Sequence, residues 1–370
     1  MKKTKLIVAV SAIIASLIFF TYKTNKQQSI YIGALLPLSG PAAYYGEQSK
    51  KGIEVAIKEL EVLYPELNMQ IDYQDTMFTP KGGIEAYKMI TNTRKPKSII
   101  TASSQVSNAV KSEAEKDKIL QMAIFAGSHA YSSPQDFSFR TSTRSEIEAN
   151  YIATYIERNY SRVVVLTASN FEGAVATSNA LLDTLRSNGR VGVIEEKFDS
   201  TNTDHRQVLL KIKSERPDAV FVSALAKDIG FIMNQAKTIG INSEFLAIRT
   251  AEDPSIFISS KTSSNGLIYS YPFDAHTDSA LVKEFSNAFY KKFNTYPDAY
   301  AAEAYLATKI LGEAYNFCGK EADSECVKNY IETQFDGRET IFGKISFDEN
   351  GDIMYPFFMK KIVNGEFIKL

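Results

Sequence analysis

Short apolar runs alternate along this chain with longer segments in which apolar residues return every three or four positions. The first unit shows the pattern in full. Ile30–Leu36 is short and continuously apolar, as a buried strand requires, and Pro37-Leu38-Ser39-Gly40-Pro41 is dense in turn formers. Beyond Tyr44, Tyr45 and Gly46, the residues Ile53, Ala56, Ile57, Leu60 and Leu63 recur at helical spacing. Glu47/Lys51 and Glu54/Lys58 pair four apart on the outer face. The same alternation predicts strands over 69–74, 98–101 and 119–125, with helices over 83–92 and from Ser103-Ser104 to 117. A second series then begins. It predicts helices over 147–159, 173–188, 204–214 and 229–238, and strands over 163–167, 191–197, Ala219–Ser223, 245–248 and 267–270. Gly189 and Gly240 close two of those helices. The last part reads as helices over 279–293, 299–316 and Ser324–Gln334, then strands over 344–347, 353–362 and 366–370. Asn350-Gly351 and Asn364-Gly365 mark turns between them. Alternating β and α units of this kind call for parallel sheets, and two successive series call for two similar α/β lobes.

Length agrees, since 370 residues exceed an ordinary single core. Composition is that of a globular chain, 44% hydrophobic and 23% charged. Residues 1–28 hold five lysines and no acid, which leaves 37 bases against 43 acids in the rest and argues against a nucleic-acid surface. Within that N-terminal stretch Lys2, Lys3 and Lys5 precede an uncharged run over 6–22. It reads as a signal peptide or an uncleaved membrane anchor. Spanning length and the lack of a small-x-small site after Phe19-Phe20 favour the anchor, and the positive flank puts the body outside the cytoplasm in both cases. The two cysteines, Cys318 and Cys326, lack metal-ligand spacing and nearby partners. In an oxidising compartment they read as a disulfide closing a short loop between two helices, the alternative being two free thiols.

No motif calls for catalysis, a cofactor or a metal: GxSxG, GxxxxGK[ST], HExxH and a GxGxxG after a strand are all missing. Binding is better supported. Ser103, Ser104 and Ser107 lie where a strand gives way to a helix, so that hydroxyls and free N–H groups converge at the positive end of a helix dipole, a favourable place for a carboxylate. The ordinary alternative is that one serine caps the helix.

The segment PLSGPAAYYGEQSKKGIEVA resembles the first strand-loop-helix of the type I solute-binding proteins, in the leucine/isoleucine/valine-binding family that serves ABC importers. FGKISFDENGDIMYPFFMKKIVNGEF resembles that family's C-terminal segment, and the likeness runs from about residue 30 to 370. It implies two Rossmann-like lobes joined by a three-crossover hinge near Thr141, Phe273 and Ile341. One lobe would be formed by 29–141 with 274–340 and the other by 142–273 with 341–370. It implies a monomer that closes on a small polar ligand (a branched-chain amino acid, an amide or a small carboxylate) and hands it to an ABC permease. A sensory ectodomain of the same fold is the alternative. Ser104 matches the family's carboxylate-binding serine, and the turn Ala126-Gly127-Ser128 matches a turn whose carbonyl and hydroxyl hold the ligand's amino group. Tyr45 and Phe171 match aromatic walls, although Glu172 separates Phe171 from Gly173 where the family has them adjacent. In FLAIRTAEDP the family places an acid just after the strand, to pair with an ammonium. Here Arg249 stands at that point, with Glu252 and Asp253 three and four residues on. Arg249 would favour a ligand carboxylate, whereas Glu252 could still reach the ligand after a small loop shift.

Overall fold

The computed structural model describes residues 29–370. The expected N-terminal anchor lies outside them, and among the described residues no helix is long and apolar enough to cross a membrane.

The chain runs β1 (Ile30–Leu36), α1 (Ala43–Leu63), β2 (Met69–Asp75), α2 (Pro80–Thr93), β3 (Ser98–Ala102), α3 (Ser104–Lys116), β4 (Leu120–Ile124) and β5 (Ser138–Arg140). These five strands form one parallel sheet in the order 2-1-3-4-5. Every residue of β3 and β4 is buried, because helices cover both faces; the edge strand β2 is only half-buried. The second lobe repeats the plan with α4 (Ser145–Asn159), β6 (Arg162–Ala168), α5 (Glu172–Asn188), β7 (Gly192–Phe198), α6 (Arg206–Glu215), β8 (Ala219–Ser223), α7 (Ala226–Thr238), β9 (Glu244–Ala247), α8 (Ser255–Ser260) and β10 (Ile268–Tyr271). Its parallel strands lie in the order 7-6-8-9-10, the same topology shifted along the chain.

The chain then returns to the first lobe with α9 (Ala280–Phe293), α10 (Ala299–Cys318), α11 (Ser324–Gln334) and the hairpin β11 (Arg338–Thr340) and β12 (Gly343–Ile345). It crosses once more to add β13 (Phe358–Val363) and β14 (Glu366–Lys369), both antiparallel, to the second sheet. Three passages therefore join the lobes: after β5, after β10 and between β12 and β13. Cys318 and Cys326 are bridged across the α10–α11 loop, where Asp323 caps α11 by accepting from Cys326 N at 3.1 Å.

Three short elements escape the sequence pattern: β5, α8 and β11. The strand expected over 353–362 pairs only from Phe358 onward. Upstream, Ile353, Tyr355 and Phe357 are buried while Met354 and Pro356 are exposed, so the strand alternation is present without a ladder. Pro356 has no N–H to donate, and the segment is spent on crossing between lobes. The helix expected over 83–92 starts earlier, at Pro80, because Thr79 caps it from Gly82 N at 3.0 Å and proline suits the first turn.

Candidate ligand-binding site

In a sheet of order 2-1-3-4-5 the loops after strands 1 and 3 diverge, leaving a crevice at the carboxyl ends. Both lobes turn that crevice toward each other. In the first lobe Asp75, ending β2, accepts from Leu38 N, Ser39 N and Met77 N at 3.0, 3.3 and 2.9 Å and draws the Pro37–Gly40 loop over the sheet edge. Partial burial works against ionisation of its carboxyl, yet hydrogen bonds from Ser39, Met77 and Leu38 hold its pKa below the usual range. Phe78, Ser103 and Phe125 follow three successive strands with φ of 59°, 78° and 51°. Non-glycine residues held in that region carry backbone strain of the kind that collects at ligand sites.

Between the lobes lies a small cavity of about 20 Å³, room for about one water. Phe125 and Gly127 line it from the first lobe, and Glu148, Phe171, Arg249 and Thr250 from the second. Arg249 enters on the turn after β9 and is 6% exposed. Its Nη1 donates to Glu303 on α10, and its guanidinium lies 5.4 Å from the Phe125 ring centre and 5.8 Å from that of Tyr300. Among the described residues its Nε and Nη2 have no hydrogen-bond partner. Burial disfavours its charge, but Glu303 and the nearby phenols and Glu148 outweigh burial and raise its pKa. Glu148 Oε1 accepts from Arg249 N at 3.2 Å and from Ser270 Oγ, leaving Oε2 without a hydrogen bond among the described residues. Burial raises the pKa of Glu148 despite the neighbouring arginine.

The other sequence candidates gather around this cavity to different degrees. Ser104 Oγ accepts from Ser128 N at 3.1 Å, which joins the two hydroxyl-bearing loops; Ser128 Oγ accepts from Asn108 Nδ2 at 3.3 Å. No side-chain cap forms on α3. Ser107 turns inward to Thr101 at 2.8 Å, and the buried Ser103 Oγ has no partner among the described residues. The Ala126 carbonyl already accepts from Arg140 Nη1 at 2.9 Å and Ser142 Oγ at 3.1 Å, so both of its lone pairs are engaged. Phe171 lies against Phe78 and Phe125 at 5.5 and 6.1 Å between ring centres, and Tyr45 against Phe125 and Tyr300 at 5.2 and 4.7 Å.

Glu252 stands apart. It accepts from Tyr269 Oη and from Lys360 of β13, 2.6 and 2.7 Å away, and lines a separate cavity of about 450 Å³ with Tyr44, Asp298 and Lys360. Glu148, Tyr300 and Glu303 were not foreseen from the sequence. Glu303 left a trace there, as the one acid in the apolar run AYAAEAYLA, where a helix wholly buried at 299–308 would otherwise carry no charge. Tyr300 Oη has no partner among the described residues, and burial puts its pKa well above the usual phenol value.

The periplasmic binding protein family matches residues 29–366. This chain belongs to that family. Relatives of this periplasmic binding protein include the Leu/Ile/Val-binding protein BraC3 of Rhizobium johnstonii, 24% identical over 91% of this chain and 94% of that one. The crystal structure of the leucine-binding protein LivK of Thermotoga maritima superposes with a TM-score of 0.86 at 22% identity, covering 92% of this chain and 97% of its own. A solute-binding protein of an ABC transporter from Rhodopseudomonas palustris BisB5, solved with 3,4-dihydroxybenzoic acid, gives 0.79 at 23% identity, with 92% and 96% covered. The fold is thus the type I periplasmic binding protein, and these relatives are named for binding.

Proposed function

We propose that this protein captures a small carboxylate-bearing solute between its lobes and delivers it, as a monomer outside the cytoplasm, to an ABC permease in the membrane. The lobes 29–141 with 274–340 and 142–273 with 341–370 would be the bodies that move, and the ligand would shift the open–closed population by touching both. The observation that carries the reading is Arg249. A buried guanidinium at an interlobe cavity, with two nitrogens that have no partner among the described residues, facing the lobe that holds Ser104 and Ser128, is built to receive an acceptor group. The names of the relatives support the class, leucine/isoleucine/valine on one side and an aromatic acid on the other. Both kinds of solute carry a carboxylate.

Mass spectrometry of solute released from natively purified protein identifies the ligand, and calorimetry with that solute tests the site. Arg249→Ala should weaken binding by roughly 10- to 100-fold, as expected for a hydrogen bond to a charged group, and Ser104→Ala by about tenfold. If the solute also carries an ammonium group, Glu148→Gln should weaken it while leaving its deaminated analogue unaffected. Unchanged affinity in Arg249→Ala, with circular dichroism showing a folded protein, would exclude Arg249 from the ligand.

A further inference from the structure

Several polar contacts join the lobes directly, from one part of the protein to another. Tyr45 of α1 is 1% exposed; its hydroxyl donates to Thr250 O at 3.2 Å and accepts from Ala226 N at 3.4 Å, both in the second lobe. Both hydrogen-bonding roles of that hydroxyl are thus filled from across the cleft. Glu303, fully buried on α10, accepts at Oε2 from Phe125 N of its own lobe at 2.8 Å. Its Oε1 accepts from Tyr355 Oη, on the third crossing, at 2.8 Å and from Arg249 Nη1 of the second lobe. At the rim Asn108 Nδ2 donates to Glu172 Oε1, and Glu172 N donates to Gln105 Oε1 at 3.4 Å.

We infer that Tyr45 and the Glu303–Arg249 pair form a built-in latch that closes the lobes without help from a ligand. Closure by these groups leaves no polar side-chain atom of Tyr45 or Glu303 stranded. Tyr45 exchanges water for two backbone groups, and Glu303 gains a guanidinium while keeping its two anchoring donors. Closing also lays Arg249 against Phe125 and Tyr300 and buries Phe171 against Phe78, which adds cation–π and apolar contributions. The latch biases closure without locking it. A buried ion pair returns to water on opening, and its mutual attraction and its hydration nearly cancel. The cavity that this closed state leaves has room for about one water, so a solute enters through the open state, and the population held closed by the latch lowers its apparent affinity. With Nη1 fixed by Glu303, the same pair also sets which edge of Arg249 faces the cavity.

The inference holds whatever the solute is, and it is tested without one. Spin labels are placed at Met89→Cys in the first lobe and Leu210→Cys in the second, both exposed positions. The protein is unfolded and refolded to strip carried-over solute, and pulsed dipolar spectroscopy reads the interlobe distance. A short-distance population is expected in the stripped protein, and Tyr45→Phe and Glu303→Gln should each move that population toward the long distance. Tyr45→Phe keeps the ring and its packing, so it decides the matter even where Glu303→Gln fails to fold. A stripped protein showing the long distance alone, or a Tyr45→Phe distribution identical to the parent, overturns the latch.

Discussion

Asp298 illustrates how far one buried side chain can be pushed by its setting. It caps α10 by accepting from Ala301 N at 2.9 Å and accepts from Tyr44 Oη at 3.0 Å, and it forms no ion pair among the described residues. Burial is the main cause of its raised pKa, hydrogen bonds from Ala301 and Tyr44 oppose it, and Glu252 adds to it; the result is about 7. A carboxyl raised in the folded state binds more protons than in the unfolded chain, whose value is about 4. Its contribution is therefore fully present below about pH 4 and is lost as pH rises to about 7, on the order of 1 kcal/mol per unit. Asp298→Asn keeps a capping oxygen and removes the titration. Its stability relative to the parent should improve from pH 5 to pH 8 in denaturant melts, and a difference independent of pH would refute the assignment. Residues of this kind are hard to read from sequence. Asp298 stood in a visible turn, Tyr296-Pro297-Asp298, but nothing local announces its distant partner Tyr44. Arg249 was legible because it follows a strand directly. That Glu252 leaves the cleft for Lys360 was not, because β13 lies 108 residues further on.

Among elements, α1 and α10 were both plain from their periodicity, whereas the closeness of their contact depends on a glycine from each, Gly52 and Gly312. A Cβ on Gly52 would lie 2.0 Å from the Ala301 carbonyl oxygen, so these helices touch backbone to backbone. That contact carries weight beyond packing, since Tyr45 precedes Gly52 on α1 and Glu303 follows Ala301 on α10. Gly52→Ala gains about 1 kcal/mol of helix propensity. It must also push the helices apart, a strain of the overpacking kind that should leave a net loss of about 1–3 kcal/mol in chemical denaturation. A more stable Gly52→Ala would mean that the helices have room to separate. The elements missed by pattern, β5, α8 and β11, are all short, and β5 owes its strand character to pairing with β4 rather than to any alternation of its own.

For the molecule as a whole, the two βα series and their parallel sheets follow from the apolar pattern, but the return of the chain between lobes does not. It is fixed by contacts between segments far apart in sequence, foremost Arg140, which is fully buried where the first crossing begins. Its Nε donates to Asp352 Oδ1 at 2.5 Å on the third crossing. Its Nη1 donates to Ala126 O and Ser128 O, each at 2.9 Å, and its own N–H to Gly351 O at 3.0 Å. One side chain thus ties two of the three passages together and clamps the turn that carries Ser128. Arg140→Met would leave Asp352, itself 5% exposed, with a hydrogen bond from Ser132 Oγ at 2.5 Å and, as its one cation among the described residues, Arg144 at 3.6 Å. Breaking a buried pair from one side costs about 3–5 kcal/mol. Pairing Arg140→Met with Asp352→Asn should recover part of that loss, because the stranded charge goes with its partner. The solute affinity should nevertheless stay low in the double variant, since the carbonyls of Ala126 and Ser128 remain unclamped. Denaturant melts and calorimetry on the single and double variants separate the two effects. Affinity recovering in step with stability would show that Arg140 acts on the hinge alone and leaves the turn to hold itself.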